Sequence, residues 1–224
     1  TAAVIFFINL IAPVTAYSDS TLSFSNNYKL NTQITTNLAN NIQQPQLKGF
    51  KEFKSDDLTY FTKWTSAMNR YNQQIEKMTI PSSRILMWKD KLDQLAGKSA
   101  LEQIEEVNKF INRHKYIEDI DNYGISDYWA TPLEFFEKGG DCEDFAIAKY
   151  ISLKALGFSP KQMRITIVKD TAKNIHHAVL TVNVGGETLI LDNQNKDVQL
   201  AANINIYEPI FSLNSQNWWL HEKA

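Results

Sequence analysis

The hydrophobic pattern of this chain changes period partway along, and that change limits the folds open to it. Over residues 55–115, Leu58, Phe61, Trp64, Met68, Tyr71 and Ile75 recur every three or four positions, the spacing of one helical face. Ser55 and Asp56 are expected to start this helix, and Ile80-Pro81 breaks the run. Ile85, Trp88, Leu92 and Leu95 mark a second helix that ends near Gly97. A third opens at Ser99-Ala100-Leu101-Glu102, read as a capping box, with a buried stripe of Leu101, Ile104, Val107, Phe110 and Ile111. From Pro160 onward the period is two. Residues 163–169 carry Ile165, Ile167 and Val168, and residues 177–184 carry recurring Val, Leu and Val. Gly185-Gly186 is a tight hairpin turn, residues 187–192 return, and a further strand is expected between Ile204 and Leu213. Helices followed by an antiparallel sheet predict an α+β fold.

Composition narrows the function. The chain has 224 residues, 43% hydrophobic and 12% aromatic, enough for one sizeable core and too apolar for wholesale disorder. Lys plus Arg number 23 against 25 Asp plus Glu, a formal charge of -2, a balance that gives no sign of the basic face a nucleic-acid binder carries. The 8 glycines form no phosphate-cradling loop. Residues 2–12 are apolar but too short to cross a bilayer, which needs about 20 residues. Pro13-Val14-Thr15-Ala16 follows, a small-residue pattern of the kind a signal peptidase reads. Residues 1–16 are therefore read as the remnant of an export signal, residues 17–47 as a polar lead-in, and residues 48–224 as one domain. Within that domain a helical lobe is expected over 48–138, with the core helix and sheet over 139–224. The one cysteine allows no intramolecular disulfide. In an oxidising compartment a free thiol is either buried and inert or kept because it reacts.

That cysteine sits where the two periods meet. Gly139-Gly140-Asp141-Cys142-Glu143-Asp144 precedes a largely apolar helical run that stops at Gly157. Cys142 falls in the first turn, where the helix dipole favours a thiolate and free amides could hold an oxyanion. A thiolate nucleophile needs a base, and the base needs an orienting group. His177 begins one strand and Asp192 ends the next, and the Gly185-Gly186 turn brings both to the same edge of one hairpin. Spacing alone leaves an inert, packed cysteine open beside a papain-type triad. Trp129 and Tyr128 stand in a loop before the nucleophile, where substrate contact and packing are both open; Trp129 is the substrate-binding candidate. Trp218 and Trp219 are expected to cap the sheet, and His114 and His221 to lie at the surface.

The run Gly140-Asp141-Cys142-Glu143-Asp144-Phe145-Ala146-Ile147-Ala148-Lys149-Tyr150 resembles the signature of the bacterial transglutaminase-like cysteine peptidases. His176-His177-Ala178-Val179-Leu180, Leu191-Asp192-Asn193 and the upstream residues 127–135 follow in the family order. The resemblance implies a papain/transglutaminase-like fold, with Cys142 as nucleophile, His177 as general base and Asp192 as the orienting carboxylate. His177 is preferred to His176 because Ala follows the catalytic His in the family, and only one of two successive strand residues faces a given side. It further implies a periplasmic endopeptidase that cuts the N-terminal region of a large surface adhesin near an Ala-Ala pair. An inner-membrane receptor of cyclic di-GMP that sequesters the protease is the implied partner; the nucleotide itself is not expected to bind here.

Asp141, Glu143 and Asp144 crowd negative charge beside a nucleophile that must itself become negative, which opposes the helix dipole. Helix capping accounts for part of this cluster. A hard divalent cation would relieve the repulsion, and an oxygen-rich set suits one. The resemblance implies calcium, with Asp141 and Glu143, then Asp144, as ligands. Further oxygens are expected from Asp121, Asp127 or nearby carbonyls. Zinc is disfavoured, since thiolate and imidazole ligation would consume the nucleophile and its base. Two rival functions remain: an acyl transferase using the same triad, and a non-catalytic calcium-dependent binding module.

Overall fold

The computed structural model describes residues 43–224; the expected export signal and most of the polar lead-in lie outside the described residues. Seven strands form one antiparallel sheet: β1 (Phe50–Ser55), β2 (Met163–Asp170), β3 (Ile175–Val184), β4 (Glu187–Leu191), β5 (Gln199–Leu200), β6 (Tyr207–Leu213) and β7 (Trp218–Lys223). Their spatial order is β1-β7-β6-β2-β3-β4-β5. Six helices precede β2: α1 (Thr62–Lys77), α2 (Ser83–Leu95), α3 (Ala100–Ile111), α4 (Asp119–Tyr123), α5 (Pro132–Lys138) and α6 (Cys142–Ala155). Helix α6 lies across β3 and β2, with α3 and α5 against its other sides. This is the α+β arrangement that the change of period predicts, and it agrees with the transglutaminase-like fold that the resemblance implies.

Helix α6 is enclosed because apolar residues occupy most of its circumference. Phe145, Ala146, Ile147, Ala148, Tyr150, Ile151 and Leu153 are all buried. A helix apolar on all sides belongs in the centre of a domain. Burying side chains the size of Ile147 or Leu153 stabilises by about 1.5–3 kcal/mol each. Gly157, at φ +98°, ends the helix in a backbone conformation that other residues rarely adopt. On the sheet, Met163, Ile165, Leu180 and Val182 join the core that contains α6. Val168, Val179 and Ile190 pack together in a separate cluster, with Tyr207 against it. Alternation thus divides β3 between two faces.

The structure departs from the sequence expectations at local boundaries. The segment assigned to the helical lobe begins with a strand, β1, which pairs with β7 from Phe50↔Lys223 to Ser55↔Trp218. Its Lys51, Glu52 and Lys54 give a charged edge strand with little apolar alternation. Helix α1 starts at Thr62 rather than near Ser55; before it, Asp57 caps a short 3-10 turn by accepting from Thr59 N at 3.0 Å. Only half of the Ser99 capping box forms. Ser99 Oγ accepts from Glu102 N at 3.3 Å, while the Glu102 side chain pairs with Lys98 at 3.1 Å. Leu101 is exposed, and Gln103 takes a buried place by donating to Leu95 O at 2.9 Å. Trp218 and Trp219 belong to β7 itself. His221 is buried, its Nε2 2.9 Å from Ser212 Oγ, and His114 is half-buried against Phe135 and Phe136. Both histidines therefore lie inside the expected surface.

Candidate active site

Cys142 is the first residue of α6, and two glycines set its approach. Gly139 has φ +89°, and a Cβ there would overlap Lys115 O. A Cβ on Gly140 would overlap the Asp144 carboxylate. The chain at 139–140 therefore lies against residues 115–117, held by Ile117 N to Gly140 O at 2.9 Å and Gly140 N to Lys115 O at 3.3 Å.

His177 and Asp192 meet as their places on the hairpin predict. His177 Nε2 lies 2.8 Å from Asp192 Oδ1, and both residues are buried. The carboxylate accepts further from Gln194 N on Oδ1 at 2.9 Å and from Tyr207 Oη on Oδ2 at 2.6 Å. Burial raises the Asp192 pKa, but the His177, Tyr207 and Gln194 donors outweigh it and hold the carboxyl below its usual range. The ionised carboxylate fixes the imidazole tautomer: Nε2 carries the proton toward Asp192, and Nδ1 keeps its lone pair. Gln194 Nε2 lies 3.4 Å from that nitrogen. His176, next in the chain, is exposed.

Cys142 meets β3 at its edge. Pairing of β3 with β4 stops at Leu180↔Leu191, so on that side the strand continues unpaired through Ala178 and His177. Helix α6, which begins with Cys142, packs against β3, and the Ala178 backbone amide favours the thiolate. No hydrogen bond joins Cys142 to His177 among the described residues; Cys142 Sγ instead donates to Glu143 Oε2 at 3.2 Å. Burial pushes the thiol pKa up, the Glu143 and Asp141 charges push it further, and the Ala178 amide opposes them. Burial and carboxylates prevail over the helix dipole.

The acidic residues divide into two groups. Carboxylate oxygens of Asp119, Asp141 and Asp144 lie within 4.8 Å of one another, all three residues buried. Asp144 Oδ1 accepts from Ala130 N at 2.7 Å and Oδ2 from Asp141 N at 3.3 Å, while Asp119 Oδ2 accepts from Tyr128 N. Asp119 Oδ1 and Asp141 Oδ1 are buried without hydrogen-bond partners among the described residues. Burial, then the neighbouring Glu143, raises the Asp141 pKa to about 9, and burial with Asp141 raises Asp144 well above the carboxylate range. Three crowded carboxylates with two orphaned oxygens fit a hard cation. Glu143 belongs to the second group, with Asp141 and the Cys142 sulfur.

Asp119 is the member that sequence reasoning missed. Asp121 and Asp127, the expected further ligands, are exposed, and Asp127 pairs with Lys63. The acidic run at 118–121 carries the signal, but which carboxylate turns inward depends on how the short α4 docks. Trp129, the substrate-binding candidate, is part of the packed core at 8% exposure. Its ring N–H donates to Asp127 Oδ1 at 3.1 Å, and its carbonyl accepts from Arg70 Nη2 at 2.6 Å. Its place is packing, because the loop it sits in is drawn down to serve Asp144 through Ala130.

The chain matches the family described as bacterial transglutaminase-like cysteine proteinase, BTLCP, over residues 85–220. It belongs to that family and is a cysteine protease. Among solved structures it is similar to Legionella pneumophila LapG, with 34% identity and a TM-score of 0.56, covering 71% of this chain and 86% of that one. Calcium-bound LapG of the same organism gives 34% identity and a TM-score of 0.57 over 68% of this chain and 86% of that chain. The EGTA-treated form gives 34% and 0.56 over 71% and 84%. A comparison with curated proteins gives no match.

Proposed function

We propose that this protein is a calcium-dependent periplasmic endopeptidase in which Cys142, His177 and Asp192 act as a triad. The observation that carries the proposal is the 2.8 Å His177–Asp192 pair, on the strand against which the Cys142 helix packs. His177 Nδ1 takes the thiol proton, and the sulfur attacks the scissile carbonyl. First-turn amides of α6, left without helical partners, hold the oxyanion. His177 then gives its proton to the leaving amine, and water hydrolyses the thioester. Asp119, Asp141 and Asp144 would hold the calcium ion, as the orphaned oxygens of Asp119 and Asp141 suggest, with Glu143 beside Asp141 as a further carboxylate for it. Its charge would offset the field that disfavours the thiolate. Solved LapG structures described as calcium-bound and EGTA-treated support this choice of ion.

The substrate reading, the N-terminal region of a large surface adhesin whose cleavage controls biofilm attachment, rests on the family resemblance. So do periplasmic action and sequestration by an inner-membrane receptor of cyclic di-GMP. No helix among the described residues is long and apolar enough to cross a membrane. The test is cleavage of an adhesin N-terminal fragment by the parent and by Cys142→Ala, with calcium and with EGTA. Cutting by the parent in calcium alone is expected; equal cutting by Cys142→Ala, or full activity in EGTA, overturns the reading. Product masses in the presence of a primary amine separate hydrolysis from acyl transfer.

A further inference from the structure

We infer that Tyr207 is a positioning residue of this site: its hydroxyl, across the sheet, holds Asp192 in the orientation that serves His177. Tyr207 begins β6 opposite Asp170 of β2, so its ring must cross the end of β2 to approach Asp192. It packs on the Val168, Val179 and Ile190 cluster, and its Oη donates to Asp192 Oδ2 at 2.6 Å. The ring centroid also lies 5.8 Å from that of His177. Asp192 Oδ1 is shared between His177 Nε2 and Gln194 N, so Oδ2 is the oxygen left to fix rotation of the carboxylate. Among the described residues, Tyr207 is the one side chain besides His177 that bonds this carboxylate. Burial, then the Asp192 charge, pushes the phenol pKa up, so the hydroxyl remains a donor across the working pH range. Asp170, also buried, is the other carboxylate that acts on this phenol.

The inference rests on the triad proposed above. Without the hydroxyl, Asp192 loses one donor and its fixed rotation, and it supports the imidazolium less well. The thiolate–imidazolium pair formed when Cys142 passes its proton to His177 is then less populated. Tyr207→Phe keeps the ring and its packing, and the rate of Cys142 alkylation by iodoacetamide, measured in calcium between pH 4 and 9, needs no substrate. In the parent the rate is expected to exceed that of free cysteine at pH 6 and to depend on His177. In Tyr207→Phe the rate at pH 6 should fall about tenfold, equivalent to about 1.4 kcal/mol, and the deficit should shrink toward pH 9, where the thiol ionises without help from the imidazole. The melting temperature should stay within a few degrees of the parent. A parent that reacts fast while Tyr207→Phe gives the same profile overturns this inference alone. So does a drop in rate that is equal at every pH, which reports structure and not positioning. A parent no faster than free cysteine, and indifferent to His177→Ala, overturns the triad and this inference with it.

Discussion

Replacing Lys149 by methionine should stabilise the protein in acid and have progressively less effect as the pH rises. Lys149 lies two helical turns beyond Cys142 on α6, fully buried, and its Nζ has no hydrogen-bond partner among the described residues. Burial lowers its pKa from 10.5 to about 7, against the attraction of Asp192. A folded value below the unfolded one means the unfolded chain binds the proton more tightly. The cost of the buried charge is therefore complete below about pH 7 and is relieved as the pH rises toward 10.5. A gap of 10.5 to about 7 corresponds to about 5 kcal/mol at pH 6 and about 3 kcal/mol at pH 8. Methionine approaches lysine in length, and imperfect packing would subtract about 1 kcal/mol at every pH. Urea denaturation of both proteins at pH 6, 8 and 10 gives the difference directly, with the other titrating groups cancelling. A difference that does not change with pH, or a methionine variant less stable than the parent at pH 6, would refute the reasoning. A loss of turnover in the stabilised variant would show that the enzyme retains this ammonium for its field at Asp192.

Gly140→Ala should leave the fold intact by circular dichroism but push the Asp144 carboxylate aside. The calcium affinity read by thermal shift should fall about 10–100-fold, and an unchanged shift would argue against Asp144 as part of the site. Trp88→Ala should cost about 3–5 kcal/mol in urea denaturation. It removes a ring stacked 4.6 Å from Phe136 and an indole N–H that donates to Ser152 Oγ at 2.9 Å. A cost below about 1 kcal/mol would mean that the core between α2 and α6 collapses into the cavity.

The gross architecture is legible in the sequence because burial imposes a period on it. Trp64, Met68, Tyr71 and Ile75 form the buried stripe of α1, and the Gly185-Gly186 turn joins β3 to β4. The same logic places His177 and Asp192 at one edge of the hairpin, since the turn fixes how its two strands run together. Strand β1 is not legible in this way. Its residues become a strand only through pairing with β7, at the far end of the chain, and an edge strand has no apolar alternation to announce it.

The sequence alone placed the candidates for the chemistry: a cysteine at a helix start, a histidine and an aspartate at one hairpin edge, and acidic residues around the sulfur. The tertiary structure decided which oxygens converge. Asp119 joins Asp141 and Asp144 while Asp121 and Asp127 face solvent, and Glu143 turns to the thiol. It also brought Tyr207 across β2 to Asp192 and sealed Lys149 beneath the site. Local periodicity records which face of an element is buried. It holds no record of what stands opposite that face, because the contact is made by residues distant in the chain.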